Sequence, residues 1–290
     1  MLSIVTATYN RDFLLSRLYE TLIKQTCLDF EWIVVDDGST DNTKVLLNKW
    51  ILQKKINIKF FDKENGGKHT ALNMAFKKSC GDFILIVDSD DLLSINAVEI
   101  IKSKIIEIKK NKFYERLSGI CFPKADLNGI LIGNTYIHSP FLCNYLDYRY
   151  KYKIAGDKTE IFKRDVLLEF PFPEFKNEKF CPEALIWNRI AKKYDMVFYN
   201  DIIYLCEYQV DGLTSKIYEM RKRSPKATLQ YYYELSLLNL PILIKFKAIL
   251  NYWRFYFISE NVHNNINMPK GFLANLGKLF IYCLYFFKII

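Results

Sequence analysis

Phe83-Ile84-Leu85-Ile86-Val87-Asp88-Ser89-Asp90-Asp91 runs an apolar segment straight into a cluster of carboxylates. A short apolar run that ends in polar residues reads as a strand. Acids crowded at its end repel one another, and burying them is costly unless a cation is present. An oxygen-lined site of this kind suits Mg2+ or Mn2+. The same acids could instead serve the start of a helix read from Ser94, because negative charge is favoured at that end.

Working outward, the same pattern recurs. Residues 2 to 7 form an apolar run followed by the turn Thr8-Tyr9-Asn10-Arg11-Asp12 and a helical pattern carrying Leu14, Leu15, Leu18, Leu22 and Ile23. Phe30 to Val35 run into Asp36-Asp37-Gly38-Ser39, and a helix from near Asp41 is predicted to turn Val45, Leu46, Leu47 and Trp50 inward. Ile56 to Phe61 precede Asn65-Gly66-Gly67 and a helix through Ala71 to Lys78. Four strand–helix units in about 100 residues predict a doubly wound parallel sheet. All four polar clusters then follow strand C-termini, the edge along which open α/β sheets bind ligands.

Beyond residue 112 the pattern loosens. Segments 118 to 123 and 129 to 137 read as strands of a mixed extension, Glu183 to Tyr194 as a helix, and Met196 to Asn200 and Ile202 to Tyr208 as further strands. From Pro225 the chain is helical and apolar, divided by Pro241 and Pro269.

The chain has 290 residues, half of them hydrophobic, enough for one large domain or a domain with an appendage. Of the formal net charge of +9, the stretch from Lys216 to Ile290 carries +8. Its bases are interleaved with aromatic runs such as Tyr252-Trp253-Arg254-Phe255-Tyr256-Phe257, which fits an anionic membrane surface better than nucleic acid. Gly271 to Ile290 reads first as an interfacial helix, with packing on the domain and a membrane span as alternatives, since Lys278 and Lys288 interrupt it. The seven scattered Cys argue against a zinc site or a disulfide framework, and no signal-peptide pattern opens the chain. A cytoplasmic protein, peripheral at the inner face of the plasma membrane, is expected.

Taken in order, Ser3-Ile4-Val5-Thr6-Ala7-Thr8-Tyr9-Asn10-Arg11, Val34-Val35-Asp36-Asp37-Gly38-Ser39, Glu64-Asn65-Gly66-Gly67 with Ala71-Leu72-Asn73, Gly81-Asp82 and Val87-Asp88-Ser89-Asp90-Asp91 resemble the motif set of the inverting family 2 glycosyltransferases. The resemblance covers residues 2 to about 92. It implies a GT-A fold, that is, a Rossmann-like, mostly parallel central sheet flanked by helices, here with a helical C-terminal extension. It also implies transfer of a sugar from a nucleotide-sugar, UDP by resemblance, to an acceptor hydroxyl. In a membrane setting that acceptor would be a lipid-linked saccharide, as in bacterial surface-polysaccharide assembly.

The resemblance assigns the base to the backbone around Ala7 and Thr8 and to the ring of Tyr9, and the uracil or ribose side to Asp37. Asn65 and Gly67 would allow close backbone approach to a diphosphate, with Lys68 as a nearby cation. Asp90 is implied as the most direct ligand of Mn2+ or Mg2+, with Asp88 nearer the ribose and metal and Ser89 on the nucleotide side. Asp91 would contact the donor sugar or cap the next helix. Many relatives carry Arg where this chain has Leu72, so the cationic role could have moved to Lys68. His69 reads as a helix-start capping residue, and His138 and His263 as structural.

Relatives place the general base in a Glu-Asp pair opening a helix, with a Trp four residues on. Here Pro182-Glu183 stands in that place and Trp187 follows, so Glu183 occupies the Asp position. Glu183 could equally be a first-turn acid behind Pro182. Gly156 to Glu160 and Asp211 to Lys216 read as acceptor-side and diphosphate-side loops, or as ordinary polar loops. The expected organisation is a catalytic domain over 1–215, split into a donor half (1–112) and an acceptor half (113–215), then a basic helical region over 216–290. A nucleotidyltransferase is disfavoured because no Gly-rich loop follows the first strand. A non-catalytic nucleotide-sugar-binding relative is the other alternative, supported by Pro182-Glu183.

Overall fold

The computed structural model describes residues 1–207, 216–259 and 266–286. Its packing divides the chain into two compact units, Met1–Pro171 with Arg189–Gln209, and Phe172–Asn188 with Val210–Ile290.

The first unit opens with β1 (Leu2–Thr8), α1 (Asp12–Leu22), β2 (Phe30–Asp36), α2 (Thr43–Gln53), β3 (Asn57–Asp62), α3 (Lys68–Lys78) and β4 (Phe83–Ile86). The parallel order is β3-β2-β1-β4, as the four strand–helix units predict. Register sets the functional edge: Thr8 pairs with Asp36 and Asp36 with Asp62, so three strands end in one row. One face of the sheet packs Ile4, Trp32, Val34 and Leu85 with Leu15, Leu18, Leu47 and Ile101. On the opposite face Val5, Ile33, Val35 and Ile84 are equally buried, where α3 lies against β1 and β2. Val45 departs from expectation and is exposed. The inward stripe of α2 is Thr43, Leu47 and Trp50, at helical spacing, and Val45 lies off it.

The chain continues through β5 (Leu92–Leu93), α4 (Ala97–Lys109), β6 (Leu117–Ala125), β7 (Phe141–Cys143), β8 (Lys158–Lys163), α5 (Arg164–Glu169), α6 (Glu183–Ala191), β9 (Asp195–Phe198) and β10 (Tyr204–Leu205). The sheet extends as β4-β8-β6-β10-β5, with β9 on β6 and β7 on β9. β8 runs antiparallel to both β4 and β6, so the sheet is mixed at its centre. Two expectations are corrected here. Residues 129–137 form no strand beyond an isolated bridge from Leu131 to Ala125. The stretch Lys158-Thr159-Glu160, read as a loop, begins a central strand. Its charged side chains are satisfied in place: the Lys158 ammonium donates to the carbonyls of Asn134 and Ala155, and Glu160 accepts from the Tyr145 hydroxyl at 3.0 Å. Burial without a partner would be costly, and these bonds remove that cost.

One buried acid ties the strands together. Glu31 on β2 is fully buried and accepts from the Ser3 hydroxyl (2.5 Å) and the Cys80 amide (2.6 Å), and it pairs with Lys59 at 2.7 Å. Burial pushes its carboxyl up, but Lys59, Ser3 and the Cys80 amide outweigh that and hold it below the usual range.

The second unit holds α7 (Ile217–Arg223), α8 (Pro225–Leu237), α9 (Ile242–Ile258) and α10 (Phe272–Phe286), in line with the proline punctuation. The buried carboxylate of Glu178 accepts from the amides of Lys226 and Ala227 and so caps α8 from a distance. The α9–α10 pair closes tightly at Gly277, where an added Cβ would sit 2.8 Å from Ile249. The Trp253 indole also donates to the Ala274 carbonyl at 3.1 Å. No helix of the described residues is long and apolar enough to cross a membrane.

Replacing Glu31 by Ala leaves Lys59 and two donors unanswered and is expected to cost about 3 kcal/mol in urea unfolding. Because the folded-state value is depressed, Glu31's contribution is present above the ordinary carboxylate range. It is lost as pH falls through the lowered value, which an acid-unfolding comparison of wild type and Glu31→Gln checks.

Candidate donor site

The turns after β1, β2 and β3 are cross-tied. The Asp37 amide donates to the Thr8 carbonyl (2.9 Å), and the Asn10 amide to the Ser39 hydroxyl (2.8 Å). Asp36 folds its own turn, accepting from the amide and hydroxyl of Ser39. The Asp37 carboxylate is buried and accepts from the amides of Gly66 (2.9 Å) and Gly67 (2.7 Å) and from the Lys63 ammonium (2.8 Å). The Asn65 amide reaches back to the Asp37 carbonyl. Asp37 therefore shapes the loop that opens α3. Gly38 is required there, since its φ is +82° and a Cβ would lie 3.0 Å from the Asn65 amide nitrogen.

Lys68, the first residue of α3, extends to Asp88 just past β4 and pairs with it at 2.5 Å. The donor-side residues Ala7, Thr8, Asp37, Asn65, Gly67, Lys68, Asp88, Ser89, Asp90 and Asp91 thus stand on consecutive turns of one sheet edge. Tyr9, at 48% exposure, presents its ring to solvent from the first of these turns.

Two residues that sequence reading missed organise the acidic turn. The Tyr204 hydroxyl accepts from the Asp88 amide (3.0 Å) and donates to the Asp91 carboxylate (2.7 Å). Lys124, at the end of β6, lies 3.6 Å from Asp91 and over the Tyr204 ring. A signal for Lys124 existed: it follows an apolar strand as Asp88 follows Phe83 to Val87. Tyr204 carried none, because its role depends on β10 pairing with β6 and β5.

Burial alone would raise the Asp88 carboxyl, but Lys68 and Lys124 beside it hold it below the usual carboxylate range. Burial and then the neighbouring Asp88 charge push Asp91 up to about 7, against Lys124 and Tyr204. Two unlike carboxylates therefore stand three residues apart, one kept ionised and one poised near neutrality. Asp90, half-buried between them, takes no hydrogen bond from the described residues.

The donor set fits a hard divalent cation. Asp88 and Asp90 offer two carboxylates, and among the described residues no group of three or more His, Cys, Asp or Glu makes an all-protein cage. Mg2+ and Mn2+ sites that are completed by substrate phosphates have this composition.

In the second unit, Glu183 is the first residue of α6 and is half-buried behind Pro182. Trp187 is buried and packs edge-on against Phe172, their centroids 6.1 Å apart. His69 is buried in α3, and exposed His138 lies edge-on to Tyr136. The loop read over Asp211 to Lys216 lies outside the described residues up to Ser215, as does His263.

The model of glycosyl transferase family 2 matches residues 3–111. Among curated proteins, glycosyltransferase GlyG of Streptococcus pneumoniae is 35% identical over 108 residues, which is 37% of this chain and 36% of GlyG. The poly(ribitol-phosphate) beta-N-acetylglucosaminyltransferase TarS of Staphylococcus aureus is 34% identical over 94 residues, 32% of this chain and 16% of TarS. The matched stretch thus spans little more than a third of the first relative's length and far less of the second. Among solved structures, TarS in complex with UDP-GlcNAc superposes with a TM-score of 0.61 at 22% identity, covering 88% of this chain and 72% of that one. A mannosyltransferase of Pyrobaculum calidifontis in complex with GDP-Man and Mn2+ superposes with a TM-score of 0.57 at 15% identity, covering 98% and 80%. The fold is GT-A, as the motifs imply.

Tyr204→Phe removes the donor to Asp91 and the acceptor for the Asp88 amide while keeping the ring under Lys124. It is expected to lower stability by about 1–3 kcal/mol and to weaken Mn2+-dependent UDP binding, measured by urea unfolding and calorimetry.

Proposed function

We propose that the chain is an inverting glycosyltransferase that takes a nucleotide-sugar, a UDP-sugar first, and transfers the sugar to an acceptor hydroxyl with the help of Mn2+ or Mg2+. The observation that carries this reading is the meeting, on one sheet edge, of the Asp37-built Gly66-Gly67 turn, the Lys68 ammonium and the Asp88–Asp90 carboxylates. Tyr9 stacks the base, and Asp37 holds the loop against which the uracil and ribose lie. The Asn65-Gly67 turn admits the diphosphate, and Lys68 leaves Asp88 to meet its charge. Asp90 and Asp88 would hold the cation, with Ser89 on the nucleotide side, and the cation supplies charge neutralisation to the leaving diphosphate when bound. Catalysis on this side is electrostatic preorganisation.

Glu183 takes the proton of the acceptor hydroxyl, which attacks the anomeric carbon from the face opposite the diphosphate in a single displacement. Asp91 binds the donor sugar, and Trp187 supports the helix that Glu183 opens. The catalytic domain spans 1–215, and the helical region 216–290 holds the protein on an anionic membrane from the cytoplasmic side. The acceptor is then a lipid-linked saccharide of a surface polysaccharide. Support for the membrane comes from α10, whose outward face exposes Phe272, Leu276, Leu279, Phe280 and Phe286.

Asp90→Ala is expected to abolish the metal-dependent part of UDP binding in calorimetry, and near-normal binding would remove the metal assignment. Glu183→Gln should spare donor binding and lower transfer by about 100-fold or more in a single-turnover assay; retained transfer would place the base elsewhere. Phe272→Gln with Leu279→Gln, both at exposed positions, should release the protein from vesicles containing phosphatidylglycerol without changing UDP affinity. Unchanged sedimentation with vesicles would count against α10 as the anchor.

A further inference from the structure

Between α9 and α10 lies a groove lined by Lys247, Leu250, Asn251, Arg254 and Ile281. Lys247, Asn251 and Arg254 recur at helical spacing and so stand one above another on the same face of α9. The Arg254 guanidinium lies over the ring of Tyr218, 4.9 Å from its centroid, and its Nε is buried with no acceptor among the described residues. The Asn251 amide donates one hydrogen to the Lys247 carbonyl and keeps its second for a ligand. Between residues 241 and 290 the chain has six Lys or Arg and a single acid, Glu260, which lies outside the described residues.

A buried charged donor without an acceptor is unfavourable, and here a point-charge ammonium and an amide stand beside it. The missing partner is an anion with several acceptor oxygens. A phosphate group supplies these, taking the guanidinium edge on one oxygen and the ammonium on another. Ile281 closes the groove, and beside Asn275 and Lys278 the outward surface of α10 carries Phe272, Leu276, Leu279 and Phe280, so the environment beside the cations suits acyl chains.

We propose that Lys247, Asn251 and Arg254 form a binding site for the phosphate headgroup of a membrane lipid, with the outward face of α10 entering the acyl region beside it. This rests on the membrane reading above and adds a defined phosphate site to it. Diffuse attraction to negative charge would need no such groove.

The test titrates the full chain by calorimetry with dihexanoyl phosphatidic acid below its micellar concentration and, separately, with inorganic phosphate. Vesicle sedimentation on phosphatidylcholine, with phosphatidic acid or phosphatidylglycerol at matched surface charge, runs alongside. The wild type is expected to bind the soluble lipid and to prefer phosphatidic acid vesicles. Lys247→Gln with Arg254→Gln should weaken soluble-lipid binding about tenfold and erase the preference, with UDP binding unchanged. Lys247→Gln alone, at an exposed position, should show part of the loss and guards against misfolding of the double variant. Absence of soluble-lipid binding in the wild type, or equal binding by the variants, overturns the site. Inorganic phosphate binding as tightly as the lipid overturns its assignment to a lipid. Loss of vesicle binding alone, with soluble-lipid binding intact, overturns the membrane reading and leaves the phosphate site standing.

Discussion

The carboxylate of Asp37, sunk below the surface at the end of β2, accepts from two glycine amides and one ammonium of the next strand–helix turn. An ionised acid removed from water needs such donors to remain charged, and backbone amides held by glycines are the donors that can come close enough. That requirement brings the turn after β3 against the turn after β2, and the Asp37 amide in turn fastens both to β1 through Thr8. The donor side is therefore a set of loops held by one buried charge, with Lys68 carried on the helix that the loop opens.

A second buried network sits at the acidic turn. Tyr204 and Lys124 come from strands remote in sequence, yet they hydrogen-bond and charge-pair with the Asp88–Asp91 turn. Two cations draw Asp88 toward ionisation, while burial and the Asp88 charge push Asp91 the other way. Like charges packed beside one another separate in this manner because both cannot ionise without cost. Asp90 is left without a hydrogen bond among the described residues, in a position that a hard cation can use.

How far the sequence could be read follows from the physics of each element. The four strand–helix units were legible because β1, β2 and β4 are apolar runs buried on both faces, the partly exposed edge strand β3 still carries an apolar pattern, and each helix carries a stripe of period 3.6. β8 was not, because it opens with polar residues, and the burial of Lys158 and Glu160 is made tolerable only by hydrogen-bond partners outside the strand. The apolar cluster Val45-Leu46-Leu47 points Val45 inward, whereas the stripe through Thr43, Leu47 and Trp50 decides which side of α2 faces the sheet. At the site, residues directly after apolar runs could be found by position. Tyr204 could not, since only strand pairing brings its hydroxyl to Asp88.

The proposed reaction draws on residues of both units. Its donor half stands on contacts within the first unit, and its acceptor half on Glu183 and the apolar surface of α10 in the second. The most direct test is a nucleotide-sugar panel coupled to nucleoside diphosphate release, run on the purified chain with and without Mn2+ or Mg2+. The account predicts release from at least one donor, UDP-sugars first, that depends on the added cation. No release from any donor, together with no binding of UDP or GDP in the presence of the cation, would contradict it.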